Sequence, residues 1–97
     1  MSMLSLSELA AMVDGRLHGP DQDFDGVSTD TRSLGHGELF VALRGPNFDG
    51  HDYLQAAQQR GAAGALVARP VDTGLPMVEV ADTLLGLGRL GQQWRLR

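Results

Sequence analysis

The sequence predicts an α/β fold: a small mixed sheet containing one βαβ unit and flanked by helices. The first observation behind this is the segment Glu38 to Leu43, which is apolar on both faces. Leu39, Val41 and Leu43 point one way and Phe40 and Ala42 the other, as in a strand inside a sheet rather than on its edge. The second is the stretch after that strand. A loop over 44–50 holds two glycines and a proline, and a helix opens at His51 and closes at Arg60 with Gly61 as its C-cap. The third is Ala65-Leu66-Val67-Ala68, the next buried strand. Strand, loop, helix and strand in that order make a parallel pair joined by a right-handed crossover.

Ligands of such sheets sit beyond the carboxyl ends of the strands, which places loop 44–50 at the candidate site. The loop also feeds a helix N-terminus, where free N–H groups and the helix dipole favour an anion. Asp49 fits the N-cap and Asp52 falls at N3. Phe48 and Tyr53 occupy the N′ and N4 positions of a hydrophobic staple. The plainer interpretation is that Asp49 and Phe48 only fix the entry of the chain into the helix. In chemical terms the segment offers a phosphate-sized binding corner, not a catalytic centre.

From the N-terminus, Ser5-Leu6-Ser7-Glu8 is a capping box, with Leu4 and Leu9 as its staple. Leu6, Leu9, Ala10 and Val13 form the apolar stripe of a short helix ending at Gly15. Arg16-Leu17-His18 reads as a short strand, stopped by Gly19-Pro20. Asp21-Gln22-Asp23 follows as an acidic turn in solvent. Phe24 to Thr29 reads as a weaker strand interrupted by Gly26, running into Asp30-Thr31-Arg32. Alternate residues share a strand face, so Asp30 and Arg32 fall side by side. They are either an exposed ion pair or, with the neighbouring hydroxyls, a site for a polar, phosphorylated ligand. Ser33 to Gly37 is a turn delivering the chain into the central strand. Beyond the βαβ unit, Met77-Val78-Glu79-Val80 alternates as a half-exposed strand. Asp82 caps a last helix with Leu84, Leu87, Leu90 and Trp94 along its apolar side. Gly86, Gly88 and Gly91 each cost that helix ~1 kcal/mol relative to alanine, so it needs support from outside itself, and the chain reads as a piece of something longer.

Composition narrows the chemistry. The 97 residues are enough for one core, and the absence of cysteine excludes disulfides and thiolate chemistry. No apolar run approaches the ~20 residues of a membrane span, and no signal-peptide pattern opens the chain. These features point to a soluble protein of a reduced compartment. A net charge of −4 argues against non-specific nucleic-acid binding. All eight basic residues are arginines. With no lysine, a P-loop lysine, a Schiff-base lysine and a lysine general base are excluded within this chain. His18, His36 and His51 are scattered without metal-ligand spacing, and no nucleophile-elbow, zinc-protease or paired-carboxylate pattern is present.

Several blocks taken together resemble one family. Val27-Ser28-Thr29-Asp30-Thr31-Arg32, the turn ending in Gly37, Leu39-Phe40-Val41-Ala42-Leu43-x-Gly45, Phe48-Asp49-Gly50-His51-Asp52-Tyr53 and Gly61-Ala62 occur in the order seen in Mur ligase N-terminal domains. Gly15-Arg16-Leu17-x-Gly19 and Leu75-Pro76-x-Val78-x-Val80-x-Asp82-Thr83 resemble the branch that adds D-Ala-D-Ala more than the branch that adds a diamino acid.

The resemblance implies a division of labour. The expectation is a single N-terminal domain over 1–97 that binds the UDP end of UDP-N-acetylmuramoyl-tripeptide, a cytoplasmic cell-wall precursor. ATP and Mg2+ would be bound by a central domain, and D-Ala-D-Ala would be joined through an acyl phosphate with the help of a third, neither of them in this chain. It implies no catalytic residue, metal or cofactor here, and contact with the ATP-binding domain of the parent enzyme. Carried over by position, Thr29 and Thr31 match residues that contact the uridine. Pro46, Asn47 and Phe48 match the loop that closes over it, and Gly45 beside them belongs to the candidate site. Asp30, Arg32, Arg44 and Asp49 complete the candidate site, with each arginine either reaching a phosphate or pairing with Asp30 or Asp49. His51 is expected as a first-turn helix residue. The alternatives are the same domain of a diamino-acid-adding ligase and a free-standing binding module of this fold.

Overall fold

The computed structural model describes residues 4–44, 49–69, 71 and 73–95, with side chains described as far as 91. It contains a five-stranded sheet with helices on both faces. In chain order the elements are β1 (Leu4–Ser5), α1 (Leu6–Val13), β2 (Arg16–His18), β3 (Asp23–Phe24), β4 (Val27–Ser28) and β5 (Leu39–Val41). A 3-10 turn (Gly50–Tyr53) then leads into α2 (Leu54–Gln59), followed by β6 (Gly64–Val67), β7 (Met77–Glu79) and α3 (Thr83–Arg95). The main sheet has the order β2-β7-β6-β5-β4, and β1 and β3 form a separate two-stranded ribbon. β4, β5, β6 and β7 run parallel, and β2 closes one edge antiparallel to β7.

The parity of the central strand settles how the layers form. Leu39 and Val41 join Leu6, Leu9, Val13, Leu66, Val78 and Leu90 in one cluster, under α1 and α3. Phe40 and Ala42 join Leu54, Ala57, Ala65, Val67 and Met77 in the other, under α2. Fully buried on both faces, β5 is the interior strand that its composition implied, and the βαβ unit over β5, α2 and β6 is parallel.

Local signals act as written in the sequence. Ser5 Oγ accepts the Glu8 N–H at 3.1 Å while a Glu8 carboxylate oxygen accepts the Ser5 N–H at 2.9 Å, closing the capping box. Asp82 Oδ1 accepts the Leu84 and Leu85 N–H groups at the start of α3. Gly61, at φ 88°, ends α2, and its N–H donates to the Gln58 carbonyl.

Five expectations are corrected by tertiary context. The Phe24–Thr29 strand is two short strands, split at Asp25-Gly26, with β3 pairing Leu4–Ser5 and only β4 joining the main sheet. A Cβ on Gly26 would come within 2.7 Å of a Glu38 carboxylate oxygen, so the break is where that side chain packs. The first helix ends at Val13, not Gly15, and Asp14 takes the left-handed turn at φ 57°. Gly15 serves close approach instead, since a Cβ there would lie 2.8 Å from the Glu79 carbonyl oxygen. Asp21 is not idle in solvent. Its carboxylate accepts the N–H and the hydroxyl of Ser7 in the first turn of α1, and these bonds lower its pKa, the backbone one foremost. β7 is covered on both faces rather than half-exposed, because Val78 packs into the cluster under α1 and α3 and Met77 into the cluster under α2. On α3, Leu84 is 67% exposed, and the inward side is Thr83, Gly86, Leu87 and Leu90. Gly86 there lets the helix approach β6, since an added Cβ would stand 3.3 Å from Leu66. The side chain of Trp94 lies outside the described residues.

Candidate functional site

A cleft of about 590 Å³ opens where the parallel strands β4 and β5 end. Thr29, Asp30, Thr31 and Arg32 line it from the segment after β4, Phe40 from β5, and Gly50 and Tyr53 from the 3-10 turn. Its position at the carboxyl ends of the strands follows the rule for open α/β sheets. Four of the residues expected from the sequence therefore meet in one cavity. Tyr53, expected only as a staple, lines the same cavity and is 46% exposed. Its place was readable only as a helix-start position, because the periodicity of a helix does not say which strand end the first turn will face.

The 29–33 segment holds itself together. Asp30 Oδ1 accepts the Arg32 N–H at 2.9 Å, and the Arg32 guanidinium reaches Asp30 Oδ2 at 2.8 Å. Ser28 and Ser33 hydroxyls both donate to the Asp30 carbonyl, and the Ser33 N–H donates to it as well. The Arg32 side chain beside it, with the Arg32 backbone N–H, holds the Asp30 carboxyl down to about 2. Arg32 itself is raised by the same carboxylate, yet its side chain is 89% exposed. The ion pair and the mouth of the cleft thus coincide: the guanidinium is paired on one edge and open to solvent elsewhere. Among the described residues the Thr29 and Thr31 hydroxyls have no hydrogen-bond partner, and both residues line the cavity.

On the other side of β5, the loop that leaves the strand is closed at its base. Arg44 and Asp49 form an antiparallel bridge, and the Gly50 N–H donates to the Leu43 carbonyl at 2.6 Å. A Cβ on Gly50 would sit 2.8 Å from the Leu43 nitrogen and 2.9 Å from the Ala42 Cα, so only glycine lets the turn come this close. Asp49 acts as a cap, accepting the His51 N–H at 3.0 Å, but what it caps is the 3-10 turn: the α-helix expected from His51 begins only at Leu54. Its second oxygen lies 3.2 Å from Arg69 and 3.8 Å from Arg44. The His51 N–H first, then the His51 ring and Arg69, hold the Asp49 carboxyl well below the usual carboxylate range. Arg44 therefore pairs with Asp49, and Arg69 is a second partner that local sequence gave no means of finding. Gly45 of the candidate site, and Pro46, Asn47 and Phe48, expected to close over the ligand, lie outside the described residues.

His51 is more than a first-turn residue. Its ring is fully buried, with Nδ1 2.6 Å from Asp49 Oδ1 and Nε2 accepting the Ala68 N–H at 2.9 Å. Of the other histidines, His18 contacts the Glu79 carboxylate at 2.8 Å and His36 packs against Gly61. Among the described residues no cluster of histidine and acidic side chains could hold a metal ion, and no helix is long and apolar enough to cross a membrane.

Comparison with known proteins gives one consistent answer. The family described as "Mur ligase family, catalytic domain" matches residues 23–85. The chain is 47% identical over 90 residues to the UDP-N-acetylmuramoyl-tripeptide–D-alanyl-D-alanine ligase of Escherichia coli K12, covering 93% of this chain and 20% of that protein. It is 35% identical over 69 residues to the UDP-N-acetylmuramoyl-L-alanyl-D-glutamate–2,6-diaminopimelate ligase of Aquifex aeolicus, covering 71% of this chain and 14% of that one. In structure it is similar to MurF from Acinetobacter baumannii, with a TM-score of 0.84 and 32% identity over 93% of this chain and 20% of that one. The chain spans 14–20% of the length of these curated relatives.

Proposed function

The chain belongs to the Mur ligase family, and on that premise we propose that it is the N-terminal, UDP-binding domain of a ligase of the MurF kind. In this reading the domain takes the uridine diphosphate end of UDP-N-acetylmuramoyl-tripeptide. The whole enzyme, working in the cytoplasm, joins the tripeptide to D-Ala-D-Ala. ATP and Mg2+ belong to other domains of that enzyme, which activate the terminal carboxylate as an acyl phosphate. The N-terminal domain contributes binding and no catalytic group. It would contact the ATP-binding domain within the same polypeptide.

The observation that carries the reading is the cleft itself. It sits at the ends of parallel strands and is lined by Thr29 and Thr31, whose side chains make no hydrogen bond among the described residues. It has an exposed guanidinium at Arg32 and aromatic rings at Phe40 and Tyr53. Hydroxyls and a guanidinium suit ribose and phosphate oxygens, and an aromatic ring suits the flat face of a pyrimidine. Arg44 and Arg69 stand at the base of the adjoining loop, each beside Asp49. The D-alanyl-D-alanine-adding kind is preferred over the diaminopimelate-adding kind because the similarity to the former is both higher and longer along this chain.

A UDP titration followed by amide NMR tests the proposal. Shifts are expected at residues 29–32 and 50–53, with α1 unmoved. Shifts confined to other segments would remove the cleft from the site. In the same experiment ATP with Mg2+ should be neither bound nor hydrolysed, because the chain has no lysine and no P-loop to hold its phosphates.

A further inference from the structure

We propose that His51 is a positioning residue for the cleft: a buried neutral imidazole, with its hydrogen on Nδ1, that pins the base of loop 44–49 to the end of β6. The binding part of this inference rests on the UDP reading above; the structural part does not.

The tautomer follows from the partners. The Ala68 backbone N–H can only donate, so Nε2, 2.9 Å away, must accept and carry no hydrogen. Nδ1 then bears it and donates to Asp49 Oδ1 at 2.6 Å. The ring lies between the carboxyl ends of two adjacent parallel strands, since Ala68 follows β6 and the loop closed by Asp49 leaves β5. His51 does not line the cleft. It acts through Asp49, which caps the turn that carries Gly50 and Tyr53 into the cavity wall. With Oδ1 fixed by the ring, Oδ2 faces the guanidinium groups of Arg44 and Arg69. Among the described residues Asp49 touches the ring directly, and the two arginines pair with Asp49.

Packing alone does not account for a histidine here. A branched hydrocarbon would fill the space between the strand ends, but it would leave the Ala68 N–H unpaired and release Asp49 Oδ1 from its shortest contact. An imidazole supplies one donor and one acceptor on a rigid ring. Among uncharged side chains glutamine offers the same pair, an N–H and a carbonyl on one planar group.

Three forms of the 97-residue chain therefore decide the matter: wild type, His51→Leu and His51→Gln. Long-range 1H–15N spectra of the wild type should show Nδ1–H and a bare Nε2. Hydrogen exchange at the Ala68 amide should accelerate about tenfold or more in His51→Leu, the fold-change of one lost hydrogen bond, and UDP should bind about tenfold more weakly. His51→Gln should bring both back to within about threefold of wild type. An Nε2–H tautomer would overturn the proposal. So would a leucine variant that protects Ala68 and binds UDP as wild type does, or a glutamine variant no better than leucine. If His51→Leu does not fold, the tautomer and the Ala68 exchange of His51→Gln still decide. If wild type shows no response to UDP, the UDP reading fails, and the pinning role is judged on tautomer and exchange alone.

Discussion

Asp30 and Asp49 are both carboxylates that close a turn beside the same cleft, and both hold an arginine, yet they are built differently. The partners of Asp30 are its own neighbours. Arg32 supplies its backbone N–H and its guanidinium, and the serines at 28 and 33 tie the Asp30 carbonyl. Asp49 gathers groups from three stretches of chain: Arg44 at the end of β5, His51 in the turn, and Arg69 beyond β6. One is a turn whose carboxylate is bonded by its own neighbours and whose guanidinium stays 89% exposed. Among the described residues it has a single tie from afar, the Arg60 guanidinium donating to the Arg32 carbonyl at 3.1 Å. The other is a corner sewn across the sheet, with a fully buried ring at its centre. A turn bonded mainly within itself is suited to presenting groups to a ligand without disturbing what lies beneath it. A sewn corner is suited to fixing where the loop and the turn stand relative to the strands.

The comparison predicts that substitutions at the corner spread and substitutions in the turn do not. The largest effect is expected at Gly50. An alanine Cβ would meet backbone atoms of Ala42 and Leu43 at 2.8–2.9 Å, and backbone cannot swing aside as a side chain end can. Gly50→Ala should lower stability by about 3 kcal/mol, the upper end of the cost of overpacking. Denaturant midpoints check it against Gly35→Ala, where the added Cβ meets only the Glu38 carboxylate at 3.4 Å or more and little should change. A Gly50→Ala chain as stable as the Gly35 variant would mean that the corner is loose.

Next in size is His51→Leu. It keeps an apolar group of similar bulk but leaves the Ala68 N–H without its acceptor. The loss should be about 2 kcal/mol, within the range for an unpaired part-buried donor. Urea unfolding measures it, and a loss no larger than that of a surface substitution would reduce the corner to the same standing as the turn.

These two regions also differ in how far the sequence disclosed them. Asp30 and Arg32, two residues apart, could be paired from their spacing, though the structure joins them through a turn in which Asp30 accepts the Arg32 N–H and not along a strand face. Asp49 could be seen as a cap because its acceptor and the N–H it serves are two residues apart. The same holds for Ser5 with Glu8 and for Asp82. The βαβ unit and the two faces of β5 were legible because burial on both faces leaves an unbroken apolar run. What was hidden depends on distant partners. Ala68 is 17 residues from His51, and Arg69 is 20 from Asp49, so no window of sequence brings them together. Glu38, just before the neighbouring β5, packs its side chain on Gly26 where the strand is split. β7 alternates in sequence, but its place inside the sheet puts Val78 in one core cluster and Met77 in the other, so both faces are covered. Leu84 has helical spacing with Leu87, yet the seating of α3 on α1 and β6 turns it outward.

The smallest effect, and the sharpest separation of the two carboxylates, lies in their titration. For Asp30 the leading cause of its lowered pKa is the Arg32 guanidinium. For Asp49 the leading causes are the two N–H groups of His51, and Arg69 ranks after them. Arg32→Gln should therefore let the Asp30 pKa climb from about 2 toward its ordinary value, whereas Arg69→Gln should leave Asp49 far below it. A carboxylate whose folded pKa is depressed stabilises the fold above its unfolded pKa, and that contribution is lost as pH falls through the folded value. For Asp30 the window runs from its ordinary value of 3.8 down to about 2, and Arg32→Gln should narrow it from below. Carboxyl 13C titrations of the wild type and both variants read each pKa directly, with little change expected in overall stability at neutral pH. If Arg69→Gln raises Asp49 as far as Arg32→Gln raises Asp30, then an exposed arginine and not the histidine governs the corner, and the two carboxylates are the same device built twice.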